Sequence, residues 1–246
     1  MTVIVAGGTR GIGLELASAL PEKGELVVLG YGSDRIQAEA AVARLEEEGH
    51  RVRAVLADLS SYAGAQELMA KATESSEGVR TVVHCAVRVV EGRLLDIDPT
   101  RVEHTLAVNG TSLLWLTREA VPHMSPGGSL LYLTSRGSSA VIPGYETVGP
   151  AKALAEGLVK YLAVELAPRG IRINCLAPAS QDTQTLRQVF GDHTDEVIEA
   201  GIRKNPSGRA VEPADYAGVA RFLGSSAASM VTGQTMFVYG GANLLA

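Results

Sequence analysis

The stretch Val3–Gly13, VIVAGGTRGIG, decides the fold. A buried-strand pattern that begins at Thr2 runs into a glycine-rich turn, and GIGLELASALPEKG, residues 11–24, continues as a short helix closed by Gly24. In a strand–turn–helix unit of this kind Gly7 permits the tight turn, Gly11 lets the backbone approach a pyrophosphate, and Gly13 allows close helix–strand packing. The helix N-terminus then faces the phosphates. The interval from Gly7 to Gly11 is longer than in the commonest dinucleotide fingerprint. Taken alone it also fits a plain glycine-rich turn, but its place between the first strand and the first helix favours nucleotide binding. Thr9, Arg10 and Ile12 complete the turn as candidate cofactor contacts.

Beyond the turn, strand and helix alternate. ELVVLGY, RVRAVLADLS and VRTVVHCAV read as strands, with helices at DRIQAEAAVARLEEEGH and YAGAQELMAKATESSEG, residues 62–78. RVEHTLAVNGTSLLWLTREAVPHM reads as one long helix, bent near Asn109 and Gly110. GSLLYLTS is a fifth strand, KALAEGLVKYLAVELAPRG a helix stopped by Pro168 and Gly170, and IRINCLAP a sixth strand. A polar stretch of one or two short helices follows, then the capped helix EPADYAGVARFLGSS and a final strand, GQTMFVYGG. The alternation predicts a parallel sheet with helices on both faces. No linker or repeat interrupts it, so residues 1–246 read as one domain.

Composition narrows the function classes. The net charge is −5, and no basic run suggests a nucleic-acid partner. Aromatic residues make up 4% of the chain while glycines number 27, which favours close backbone packing and a bound cofactor over an aromatic recognition surface. Cys85 and Cys175 have neither disulfide nor metal spacing and read as buried reduced thiols. No targeting segment is expected ahead of MTVIVAGG and no apolar run is long enough to span a bilayer, so a cytoplasmic location is expected.

The second strand ends in LGYGSDR. An acid at that end would grip the ribose hydroxyls of NAD, but Gly30 and Tyr31 stand there instead. Arg10 in the turn and Ser33 and Arg35 beyond the strand offer donors and positive charge to a 2′-phosphate, which favours NADPH. Arg35 could equally be a solvated helix residue, and Asp34 reads as a helix cap. At the end of the third strand Asp58, followed by Leu59, would meet the adenine amino group or cap the next helix.

These pieces together resemble the short-chain dehydrogenase/reductase family over nearly the whole chain. The resemblance implies a three-layer Rossmann-type α/β fold with a central parallel sheet flanked by helices. GGTRGIG matches the family's cofactor turn and ADLS its adenine-binding stretch. HCAV, residues 84–87, stands where the family has an Asn-Asn-Ala-Gly-like segment. Only Ala86 clearly matches, with His84 and Cys85 beside the nicotinamide-ribose path, where His84 reads as a hydrogen-bonded structural histidine. Asn109 matches a mid-helix asparagine that in the family helps hold a water near the lysine, and Ser135 aligns with the catalytic serine. Pro178 lies in the loop that passes the nicotinamide carboxamide, and Thr183 is a candidate carboxamide or phosphate contact. The final strand resembles one that packs in a tetramer interface.

GYETVGPAK, residues 144–152, departs from the family. The usual motif has tyrosine four residues before lysine, but here that position is Val148, which has no proton to give. Tyr145 stands seven residues before Lys152, a spacing similar to NADPH-dependent enoyl-acyl carrier protein reductases. Pro150 belongs in a first turn, so the helix should start near Val148 or Gly149 with Tyr145 in the approach to it. A displaced donor suits hydride delivery to a β-carbon, because negative charge then appears on the carbonyl oxygen two carbons away. Lys152 would hold the nicotinamide ribose and supply positive charge, while Ser135 would orient the oxygen or merely close the strand. Tyr132 and Tyr161 read as packing residues.

Two other functions stay open: an NADPH-dependent ketoreductase of a polyketide-type substrate, and a non-catalytic nucleotide-binding protein with a protein partner. Residues 180–210 should form a substrate lid. Its Leu186, Val189, Phe190 and Ile198 would line an acyl pocket or pin the lid, and Arg187, Arg203 and Lys204 would form a solvated charged face or receive an acidic carrier protein or a pantetheine phosphate. The expected partners are an enoyl or other acyl substrate, on acyl carrier protein or CoA, and further copies of the chain in a homodimer or homotetramer.

Overall fold

The computed structural model describes residues 1–74 and 78–244. Seven strands form one sheet: β1 (Thr2–Ala6), β2 (Leu26–Tyr31), β3 (Arg51–Leu56), β4 (Val79–His84), β5 (Met124–Leu133), β6 (Arg172–Pro178) and β7 (Thr235–Val238). Their order is β3-β2-β1-β4-β5-β6-β7 and every pairing is parallel. A parallel sheet needs helices on both faces, which explains why all residues of β1 and β6 are buried. On one face Ile4, Val28, Leu130 and Ile173 pack with Leu68 of α3 (Tyr62–Thr73), Leu116 of α5 (Ser112–Ala120) and Val159 of α6 (Val148–Leu166). On the other, Val3, Val5, Leu29 and Leu131 pack with Leu16 of α1 (Gly11–Ala19), Leu45 of α2 (Arg35–Glu47) and Leu223 of α9 (Pro213–Gly224). Each fully buried leucine or isoleucine contributes about 1.5–3 kcal/mol against exposure. The architecture is the expected three-layer α/β sandwich of Rossmann type.

The order of strand addition reverses between β1 and β4 while the strands stay parallel, which opens a crevice at their carboxyl ends. Three local readings need correction. Helix α1 stops at Ala19 rather than reaching Gly24, because Leu20 precedes Pro21 and a residue before proline disfavours helical backbone. The expected 101–124 helix is α4 (Pro99–Leu106), a π-helical turn (Ala107–Thr111), then α5, with β5 already under way at Met124. Tyr161 does not pack within the chain. It is 81% exposed, on the face of α6 opposite Val159 and Leu162. Helix α3 ends at Thr73, and residues 75–77 of its expected continuation lie outside the described residues.

Candidate active site

The crevice is a cleft of about 1200 Å³. At its floor the glycine-rich turn is held by close backbone contacts. A Cβ on Gly7, whose φ is +77°, would stand 2.5 Å from the Ala86 nitrogen, and one on Gly13 would stand 2.2 Å from the Gly7 carbonyl oxygen. Residue 10 is the N-cap of α1 and offers no side-chain cap. The first-turn N–H groups beside Gly11 and Ile12 are therefore left for an anion. This cradle fits a dinucleotide pyrophosphate.

The other cofactor candidates line the same cleft: Thr9, Tyr31, Ser33, Asp58, Leu59, Cys85, Ala86 and Pro178. Tyr31 ends β2 and the carboxylate of Asp34 accepts from the Gln37 N–H at 3.0 Å, so that acid caps α2. Asp58 accepts from the Ser60 N–H at 2.9 Å, and hydrogen bonds from Ser60 hold its carboxyl below the usual range. Ser61, not Asp58, caps α3 by accepting from Gly64 N. Arg35 is exposed and paired with Glu39 at 2.8 Å, the solvated alternative. Arg10 donates to Oε1 of Gln184 at 2.6 Å, and the Thr183 hydroxyl caps α7 (Gln184–Phe190) by accepting from Leu186 N at 3.1 Å.

At the inner end, α6 begins at Val148 as the proline rule requires. The Tyr145 carbonyl accepts from Val148 N and Gly149 N at 3.1 and 2.8 Å, so the tyrosine stands just ahead of the helix. Val148 is fully buried. The Tyr145 phenol is next to the Ser135 hydroxyl, whose oxygen accepts from Gly137 N at 3.2 Å. Burial pushes the phenol's pKa up, the Ser135 hydroxyl works against that shift, and Tyr239 adds to it.

Lys152 is 3% exposed. Its Nζ donates to the Leu133 carbonyl at 2.6 Å and lies 4.6 Å from the Tyr132 ring centroid. Burial lowers its pKa to about 8, with Cys85, Cys175 and Glu156 opposing that shift. Asn109 sits in the π-turn and does not line the cleft. Its Oδ1 accepts from Arg88 N at 2.7 Å and its Nδ2 donates to Arg88 O at 2.8 Å, which clamps the chain after β4. His84 Nε2 lies 2.6 Å from Ser112 Oγ, and burial lowers its pKa to about 3, so the imidazole is neutral. Both cysteines are buried and free.

Among the lid residues, Leu186, Val189, Phe190 and Ile198 all line the cleft. They belong to α7 and α8 (Thr194–Arg203), and the Val189 carbonyl rests against Gly144, 3.1 Å from where its Cβ would be. Arg187 pairs with Asp182 at 2.6 Å and Arg203 with Glu199 at 3.3 Å, which leaves Lys204 as the cleft-lining cation of the three. Sequence reasoning missed Tyr239, whose hydroxyl accepts from Arg136 N at 3.2 Å inside the cleft. The signal was the tyrosine in VYGG, read only as part of an interface strand. Among the described residues no cluster could hold a metal ion, and no helix is long and apolar enough to cross a membrane.

Comparison with known proteins agrees with this fold. The family model described as enoyl-(acyl carrier protein) reductase matches residues 6–243. The chain is 33% identical to dehydrogenase/reductase SDR family member 4 of Homo sapiens over 242 residues, 97% of this chain and 86% of that one. It is 29% identical to 1-cyclohexenylcarbonyl-CoA reductase of Streptomyces collinus over 243 residues, 99% and 87% of the two chains. Among solved structures it is similar to a short chain dehydrogenase from Burkholderia cenocepacia J2315 in complex with NADP. The TM-score is 0.86 at 27% identity, covering 98% of this chain and 97% of that one. Fold and cleft define a dinucleotide-binding α/β protein. The chain belongs to the short-chain dehydrogenase/reductase family and is an oxidoreductase.

Proposed function

We propose that the protein reduces the carbon–carbon double bond of an enoyl thioester, carried on CoA or acyl carrier protein. The cofactor is NADP(H). One observation supports the enoyl reading above the others: the cleft phenol next to the start of α6 is Tyr145, ahead of the helix, while the position one turn before Lys152 is the buried Val148. When bound, NADPH supplies the hydride. Tyr145 donates its O–H to the thioester oxygen as enolate charge builds there, Ser135 orients that phenol, and Lys152 holds the nicotinamide ribose and adds positive charge. Protonation at the α-carbon completes the reduction. At the cofactor's outer end Arg10 and Ser33 meet the 2′-phosphate. Residues 180–210 act as the lid, with Phe190 and Leu186 against the acyl chain. The exposed Leu154, Tyr161 and Val164 of α6 support a homo-oligomer, dimer or tetramer, as the covering partner.

Reduction of a ketone is the second reading, because a serine and a tyrosine side by side in the cleft are also what a ketone oxygen needs. Turnover of crotonyl thioester and of a β-keto thioester, each with NADPH, separates the two. Enoyl turnover supports the proposal. Ketone-only turnover replaces it with the second reading, and nucleotide binding without any turnover removes both.

A further inference from the structure

The π-turn at Ala107–Thr111 skips the ordinary helical hydrogen-bond pattern, so some of its carbonyls need partners from elsewhere. Two buried hydroxyls answer. Ser112 Oγ donates to the Val108 carbonyl at 2.7 Å, and Tyr132 donates to the Asn109 carbonyl. Because the Ser112 proton is spent on Val108, its lone pair receives His84 Nε2–H, which fixes the imidazole tautomer. His84 and Tyr132 are register partners on β4 and β5, and their ring centroids are 5.2 Å apart with planes inclined at 50°. Tyr132 is therefore held by its hydroxyl and by its neighbour, with no exposed surface. Against that ring lies the Lys152 ammonium, 4.6 Å from the centroid, with the Leu133 carbonyl accepting one of its protons.

The other groups facing the ammonium are few. Cys85 at the end of β4 and Cys175 on β6 are protonated thiols at neutral pH, His84 is neutral, and Glu156 on α6 acts from a distance while accepting from Thr134 Oγ1 at 2.6 Å. A buried ammonium without an adjacent carboxylate needs another source of stabilisation. An aromatic face supplies it through its quadrupole, most strongly where water is excluded.

We propose that Tyr132 is the positioning residue for Lys152: its ring face keeps the buried ammonium charged and in place, and its hydroxyl ties that ring to the π-turn. The inference rests on the reading of Lys152 as the ribose-holding cation, but it does not require that the substrate be an enoyl thioester.

The test is the pH dependence of NADPH affinity in the intact protein, for wild type, Tyr132→Phe and Tyr132→Met. Binding should weaken as pH rises through the lysine's titration. Tyr132→Phe keeps the ring and leaves that midpoint in place. Tyr132→Met removes the ring and moves the midpoint down by about one pH unit or more, the shift expected for a desolvated cation–π contact. An unmoved midpoint in Tyr132→Met, or an equal shift in Tyr132→Phe, overturns the proposal. Should Tyr132→Met fail to fold, NMR of the wild type answers alone. The chain has five lysines, and the Cε protons of one should be displaced upfield by the ring and vanish in Lys152→Met. A Lys152 resonance with no ring-current shift contradicts the contact. Failure of the enoyl assay together with a shifted midpoint leaves this inference standing and removes the enoyl reading alone.

Discussion

Gly137 lies close against the ring of Tyr145: a Cβ added at residue 137 would stand 2.6 Å from Cδ1 and 2.9 Å from Cε1 of that ring. Real Cβ atoms do not approach so closely, so the absence of a side chain at Gly137 lets the phenol sit beside Ser135.

Gly137→Ala should therefore displace the ring without touching the cofactor turn. A displacement of about 1 Å at a reacting group costs on the order of 100-fold in rate. We expect kcat to fall by at least about tenfold, equivalent to about 1.4 kcal/mol, with NADPH affinity unchanged. Steady-state kinetics with a fluorescence titration of NADPH checks both halves.

Arg10 donates to Gln184 in an exposed hydrogen bond, which leaves its guanidinium able to turn to a 2′-phosphate. Arg10→Ala should lower kcat/KM for NADPH by about 10- to 100-fold, the worth of one or two charge-assisted hydrogen bonds, and leave the value for NADH nearly unchanged. Equal losses with both nucleotides would mean that Arg10 serves the lid rather than the phosphate.

Lys152 has a folded-state pKa near 8, below its ordinary value of 10.5. Below the lower value, folding must bury a charged amine, and that cost is fully present. As pH rises from about 8 toward 10.5 the unfolded chain holds the extra proton, so this lysine's burden on the fold diminishes. Lys152→Met should accordingly be more stable than wild type at pH 7, by on the order of 3 kcal/mol. That advantage should shrink at alkaline pH. Urea unfolding at pH 7 and pH 10 measures the difference.

The sheet and the glycine turn were legible because their determinants are local: alternating apolar runs, and glycines at positions where backbone meets backbone. The displaced start of α6 was legible for the same reason, since Pro150 fixes the first turn from within the helix. The π-turn was not. A bend at Asn109 and Gly110 could be read, but the Asn109 carbonyl is met by Tyr132 from β5 and the Asn109 side chain by Arg88 after β4, both distant in sequence. Tyr132 itself read as packing because its hydroxyl meets a backbone carbonyl, which leaves no side-chain pattern. Asp58 and Thr183 have side chains that serve turns and caps equally well, and only in the folded chain does Asp58 meet Ser60 and Thr183 meet Leu186. Tyr161 read as packing from its apolar neighbours, but helical phase turns it outward.

The central claim is that the Tyr145 phenol stabilises the enolate oxygen, and the most direct measurement is kcat of Tyr145→Phe on a crotonyl thioester with NADPH at saturation. The substitution keeps the ring against Gly137 and removes only the donor. The account predicts a fall of about 100- to 1000-fold, the cost of losing one oxyanion donor, with NADPH affinity preserved. A variant that turns over the thioester at the wild-type rate would contradict it.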